Sequence, residues 1–152
     1  MLMVAFDNAE DVVRWIVPEG DAVEGDVVRV LTAACRVLRS KRFRAIEIRP
    51  HTDVSSLVYT GPDAFSREPD VIRLGTRRKD LTVLWDFMHE VGHAHQDPPP
   101  PNYDPRSPEN LPREEEAWDI GSRFIEEEAP SWIAYRESFD QRKAECLATR
   151  GR

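Results

Sequence analysis

The chain has 152 residues, 28 acidic against 21 basic side chains, a net charge of −7 and 40% hydrophobic residues. That length suits a single domain, residues 1–152, able to bury a core without disulfides. The acidity argues against a protein that coats nucleic acid by bulk attraction. Cys35 and Cys146 form no CxxC, and the opening MLMVAFDNAEDVV has no basic n-region. Both features point to a cytoplasmic, reducing compartment. The most apolar stretch, Val27–Leu38, is broken by Arg29 and Arg36, so no membrane span is expected.

Asn8–Ile16 reads as a short helix, capped by Asp7 or Asn8 and stopped by Pro18-Glu19-Gly20. Glu24–Arg39 is a longer helix with Val27, Leu31, Ala34 and Leu38 on one buried face. Cys35 lies beside that face as an inert buried thiol. Arg44–Arg49 alternates apolar and polar residues, and Val54–Thr60 and Val71–Leu74 are further strands, separated by a turn at Gly61-Pro62-Asp63. A small, mostly antiparallel sheet is expected. Asp80–His95 is a helix with Asp80 as N-cap, ended by Asp97-Pro98-Pro99-Pro100-Pro101. The Pro-rich stretch runs on to Pro112, and loops of that length are functional rims or mobile segments. Arg113–Glu128 and Pro130 to about Thr149 complete the chain as helices, with Pro130 in a first-turn position.

The chemistry concentrates in His89-Glu90-Val91-Gly92-His93, an HExxH pattern. On a helix, His89 and His93 point within roughly 40° of each other and sit about 6 Å apart along the axis. Two imidazoles so placed grip one zinc ion. Glu90 is rotated off the ligand direction and serves as the proton carrier for a zinc-activated water.

A catalytic zinc needs a third protein ligand. His95, Asp97, Glu109, Glu114, Glu115, Glu116 and Asp119 lie downstream. Glu116 is preferred, because Ile120 and Phe124 follow at i+4 and i+8 and place it on an apolar face, with Glu115 as the fallback. Ala117 and Gly121 on this helix, with Gly92 on the other, let the two backbones approach closely. Asp119 is a candidate for orienting a ligand imidazole.

The pairing of LWDFMHEVGHAH with REEEAWDIGSRF resembles the ImmA/IrrE group of minimal gluzincin-type zinc peptidases. In that group a helix with a Glu-Ala signature follows the HExxH helix after a variable loop, and its Glu is the third ligand. Glu116-Ala117-Trp118-Asp119-Ile120-Gly121 matches the Glu and Ala, while the run Glu114-Glu115-Glu116 leaves the register open. The resemblance covers roughly residues 44–128. It implies an α+β minimal zincin-like fold and a regulatory endopeptidase that cuts a helix-turn-helix repressor. The format is also similar to the CapP-type peptidases of bacterial anti-phage operons, which implies single-stranded DNA as an activator. Two rival readings are a zinc-binding interaction module that does not cleave, and a DNA-responsive regulator in which proteolysis is secondary.

Arg36, Arg39, Lys41, Arg42 and Arg44 form one basic run, and Arg77, Arg78 and Lys79 another. These read first as helix-end and loop cations, and second as a local nucleic-acid patch. Tyr59, Tyr103, Tyr135, His51 and Arg123 are candidates for stabilising an oxyanion, and the sequence does not choose among them. Trp85, one turn before His89, is placed to pack under the metal, and Trp118 and Trp132 are expected in the core. Cys146 and Cys35 have, as alternative roles, a thiolate that caps the zinc.

Overall fold

The computed structural model describes residues 2–7, 9–16, 25–63, 67–129 and 135–148. Among them are four strands and five helices in an α+β arrangement. The order is β1 (Leu2–Val4), α1 (Ala9–Ile16), α2 (Gly25–Ser40), β2 (Ala45–Arg49), β3 (Ser56–Thr60), β4 (Glu68–Gly75), α3 (Leu81–Ala94), α4 (Leu111–Glu128) and α5 (Arg136–Ala148). A single 3₁₀ turn, Pro108–Asn110, leads into α4. The expected stop at Pro18-Glu19-Gly20, Pro130 and Trp132 lie outside the described residues. Among the described residues, no helix is long and apolar enough to cross a membrane.

The sheet runs β1-β2-β4-β3. Its outer pairs are antiparallel, but β2 and β4 are parallel, so the sheet is mixed. Alternation explains its two faces. Ile46 pairs with Ile72 and Ile48 with Leu74, and all four are buried in the core. Between them, Glu47 pairs with Arg73 on the opposite face, where Arg73 Nε donates to Glu47 Oε2 at 2.9 Å. The strand β1 was not expected from sequence. Three residues are too few to show a period.

The expected inner face of α2 is buried at Leu31, Ala34 and Leu38, joined by Val30 and Cys35, while Val27 is only partly covered. Burial pushes the Cys35 thiol up to about 12, which keeps it protonated and inert. Asp80 caps α3 as expected, accepting from Thr82 N at 2.9 Å.

Nearly every residue of α3 from Val83 to Ala94 is buried, including the polar Asp86, His89 and Glu90. A helix covered all round is a central one. It is flanked by α4, α5, α2 and the β3–β4 end of the sheet. The α3–α4 crossing is unusually close. A Cβ on Gly92 would meet the Ala117 carbonyl oxygen at 1.9 Å, and one on Gly121 would meet that of Met88 at 2.6 Å. Glycine is therefore a steric requirement at both positions, and Ala117 lies opposite Gly92 as its spacing suggested. On the other side, α5 is latched to α3. Arg142 binds Asp86 through two nitrogens, at 2.8 and 2.9 Å, and Trp85 Nε1 donates to Ser138 Oγ at 2.9 Å.

Candidate metal centre

The two histidines of α3 converge with a carboxylate of α4, and that carboxylate belongs to Glu114. Donor atoms of His89, His93 and Glu114 all lie within 4.8 Å of one another, with His89 and Glu114 buried and the His93 side chain 12% exposed. His89 Nε2 is 3.4 Å from Glu114 Oε1, and His93 Nε2 is 3.0 Å from Glu114 Oε2. An ion with tetrahedral bonds of about 2.0–2.2 Å holds its donors roughly 3.3–3.5 Å apart. The two histidine–carboxylate distances are close to that spacing, and the group could hold a metal ion, with donors compatible with zinc. Three protein donors leave a fourth position to the cleft.

The expected third ligand, Glu116, is not at the site. It is exposed, two residues or about 200° around α4 from Glu114. The buried face of α4 is Glu114, Ala117, Trp118, Gly121 and Ile125. Ile120 and Phe124 are only partly covered, so the face inferred from them has the wrong phase. Ala117 and Gly121 must face α3 because they form the close crossing, and Glu114 is one turn before Ala117 and Trp118. The fallback Glu115 is likewise exposed.

Glu116 acts at one remove. Its Oε1 accepts from Gln96 Nε2 at 2.8 Å, and the same nitrogen donates to the Arg113 carbonyl at 3.0 Å. With both acceptors on Nε2, Gln96 Oε1 is turned to His93 Nδ1, 2.7 Å away. That contact requires the proton of neutral His93 on Nδ1 and leaves Nε2 as the metal-facing lone pair. Tyr103, delivered by the Pro-rich loop, donates to Glu114 Oε2 at 2.6 Å. Trp118 lies flat against His89, with ring centroids 4.3 Å apart and planes 5° from parallel. Gln96 is not singled out by any motif. Its signal was position, the first helical turn beyond His93.

The electrostatics fit a cation site. Burial pushes His93 down, but its bond to Glu114, the charges of Glu90 and Glu114, and Gln96 raise it overall. Burial pushes Glu114 up, and the two imidazoles outweigh this and hold its carboxyl far below the usual range. Both shifts favour a protonated His93 against a charged Glu114 in the metal-free cluster, and a divalent cation would have to displace that proton.

The site opens into a cleft of about 700 Å³. Its walls include β3, the Pro-rich loop and α5, and Glu90 lines it beside His89 and His93. Glu90 is buried, with Oε1 3.8 Å from His89 Nδ1. Of the oxyanion candidates, only Tyr59 and Tyr103 line the cleft, and Tyr103 is committed to Glu114. Tyr135 packs near Trp85, His51 is exposed, and Arg123 is exposed with Nε toward the Asp119 carbonyl at 3.4 Å. Asp119 does not orient an imidazole: it is exposed and paired with Lys143 Nζ at 2.9 Å. Trp85 packs against Phe139, and it is Trp118 that backs a ligand. Nδ1 of His95 approaches the Val91 carbonyl at 3.0 Å, outside the donor group. Cys146 borders the cleft but is not in the donor group, and Cys35 is in the core. In the second basic run, Arg77 and Arg78 are paired with Asp53 and Glu145.

Comparison of the chain with known protein families, curated proteins and solved structures found no match.

Proposed function

We propose that the protein is a zinc-dependent endopeptidase whose metal is held by His89, His93 and Glu114 and whose general base is Glu90. The observation that carries this reading is the buried two-histidine, one-carboxylate triangle with Glu90 beside it at the head of a cleft. Zinc held by three protein donors supplies a Lewis acid with an open position, which polarises a carbonyl and brings the pKa of a bound water to about 7. Glu90 takes a proton from the attacking water and passes it to the leaving amine.

An extended peptide has a natural seat. Ser56, Leu57 and Tyr59 of β3 line the cleft, and among the described residues β3 is the outer strand of the sheet, with β4 beside it. Its free edge offers backbone hydrogen bonds to an added strand. Tyr59 supplies a phenol on that wall. Burial pushes its pKa up, so it stays a donor at neutral pH. A helix-turn-helix repressor is the first substrate to try, on the strength of the motif resemblance.

The test is Glu90→Gln. Cleavage of the candidate repressor should disappear while zinc content stays at the wild-type level. Equal behaviour of the two proteins toward it would remove the peptidase reading and favour a module that binds without cutting.

A further inference from the structure

Most charges around the cleft are spoken for. Arg142 is bidentate to Asp86, Asp53 holds Arg77 at 2.8 Å, and Glu145 lies 3.3 Å from Arg142 and 3.5 Å from Arg78. Arg106 and Asp104, both exposed on the Pro-rich rim, are opposite charges two residues apart.

Arg67 and Arg113 differ from these. Both line the cleft that holds His89, Glu90, His93 and Glu114, and neither has an ion-pair partner among the described residues. Each is held instead by a ring and a carbonyl. The Arg67 guanidinium lies 5.8 Å from the centre of the Tyr59 ring and donates Nη2 to the Tyr59 carbonyl at 3.5 Å. The Arg113 guanidinium lies 5.5 Å from the centre of the Tyr103 ring and donates Nη2 to the Asp97 carbonyl at 2.7 Å. In both, Nε is buried without a hydrogen-bond partner among the described residues.

A ring and a carbonyl fix the guanidinium plane but neutralise no charge, and they leave other donors of the fork to a ligand. In a partly enclosed cleft such uncompensated charge attracts anions. The rest of the chain has the opposite balance, at −7 overall. Tyr59 reports that the groups share one corner. Burial pushes its phenol up, Arg113 pulls it down, Glu90 pushes it up and Arg67 pulls it down.

We infer that Arg67 and Arg113 form a carboxylate-binding subsite beside Glu90, so that the peptide accepted by the cleft carries a carboxylate next to the bond to be cut. The inference rests on the peptidase reading for its substrate. The carboxylate has two sources, an Asp or Glu side chain or a free chain terminus. Arginine matches either through parallel N–H···O bonds.

The experiment measures binding, so it does not depend on turnover. The zinc-loaded full chain with Glu90→Gln is titrated into fluorescein-labelled octapeptides of alanine and glutamine. One set is C-terminally amidated, with a single Glu moved through every position and compared with Gln. The other compares the free acid with the amide. Fluorescence anisotropy should show a carboxylate tightening binding about tenfold or more at one position or at the terminus. Added salt should weaken that preference. Arg67→Gln should abolish it and Arg67→Lys keep part of it, with zinc content and circular dichroism unchanged in both. Which set responds identifies the source.

No dependence on a carboxylate in either set, including no detectable binding at all, overturns the subsite. So does a preference that survives in both Arg67→Gln and Arg113→Gln. Failure of the peptidase reading appears separately, as a wild-type protein that prefers carboxylate peptides and cleaves none of them.

Discussion

Gly92 is the position where one added methyl group tests the whole α3–α4 arrangement. In an ordinary exposed helix Gly→Ala gains about 1 kcal/mol. Here the new Cβ would sit 1.9 Å from the Ala117 carbonyl oxygen, against a floor near 3.0 Å for real contacts. The obstacle is backbone and cannot rotate away. The helices must separate by about 1 Å, and overpacking of this kind costs roughly 1–3 kcal/mol even where side chains can yield. We expect Gly92→Ala to lose about 2 kcal/mol net, and its melting temperature to fall by roughly 4–8 °C. The same displacement carries Glu114 away from His89 and His93. Metal–ligand distances tolerate only about 0.2 Å, so zinc affinity should drop by at least about tenfold. Thermal melts with and without metal, and competition against a chelating dye, measure both effects. Gly121→Ala, with a 2.6 Å clash, should show the same signs at smaller size. A Gly92→Ala protein as stable as wild type, with unchanged zinc affinity, would refute the crossing described here.

Three further outcomes follow from the site and its supports. Tyr103→Phe removes the hydrogen bond to Glu114 Oε2 and should weaken zinc binding by about 10–100-fold, read in the same dye competition, with little change in the metal-free melt. Asp86→Asn removes the bidentate carboxylate from Arg142, leaving Glu145 at 3.3 Å, and should cost roughly 1–3 kcal/mol in denaturant unfolding. The metal-free protein should have a characteristic pH dependence. The raised His93 contributes stability that is full below 6.5 and lost as pH climbs through its folded value. The lowered Glu114 contributes stability present above 4.5 and lost as pH falls toward its folded value. The cluster's contribution therefore peaks between these two values, and zinc should stabilise more as pH rises past them. A metal-free melting temperature that rises steadily from pH 6 to 8 would count against the ion-paired cluster.

The parts of this molecule that repeat locally were legible in the sequence. HEVGH put His89 and His93 together, because a helical turn alone brings residues four apart to one side. The Asp80 cap and the inner face of α2 could be read for the same reason. The third donor could not be read from Ile120 and Phe124, because their side chains are only partly buried and a helix bearing three consecutive glutamates has no clear polar edge. The better guide was steric. Ala117, Trp118, Gly121 and Ile125 recur at intervals of one, three and four, and the next residue on that face toward the N-terminus is Glu114. The parallel pairing of β2 with β4 is long-range and leaves no local trace. Neither does the fold of the Pro-rich loop that brings Tyr103 to Glu114, nor the placing of Arg67 and Arg113 on one cleft. These depend on contacts between segments that no short pattern encodes.

The central claim is that Glu114, and not its neighbours, completes a zinc site with His89 and His93. Zinc stoichiometry and affinity of the wild type, Glu114→Ala and Glu116→Ala, by metal analysis and chelator competition, test it most directly. We predict about one zinc per chain in the wild type, with Glu114→Ala weakened about a thousandfold or more and Glu116→Ala, which only steadies Gln96, within roughly tenfold of wild type. No zinc uptake by the wild type, or loss of zinc in Glu116→Ala with retention in Glu114→Ala, would contradict it.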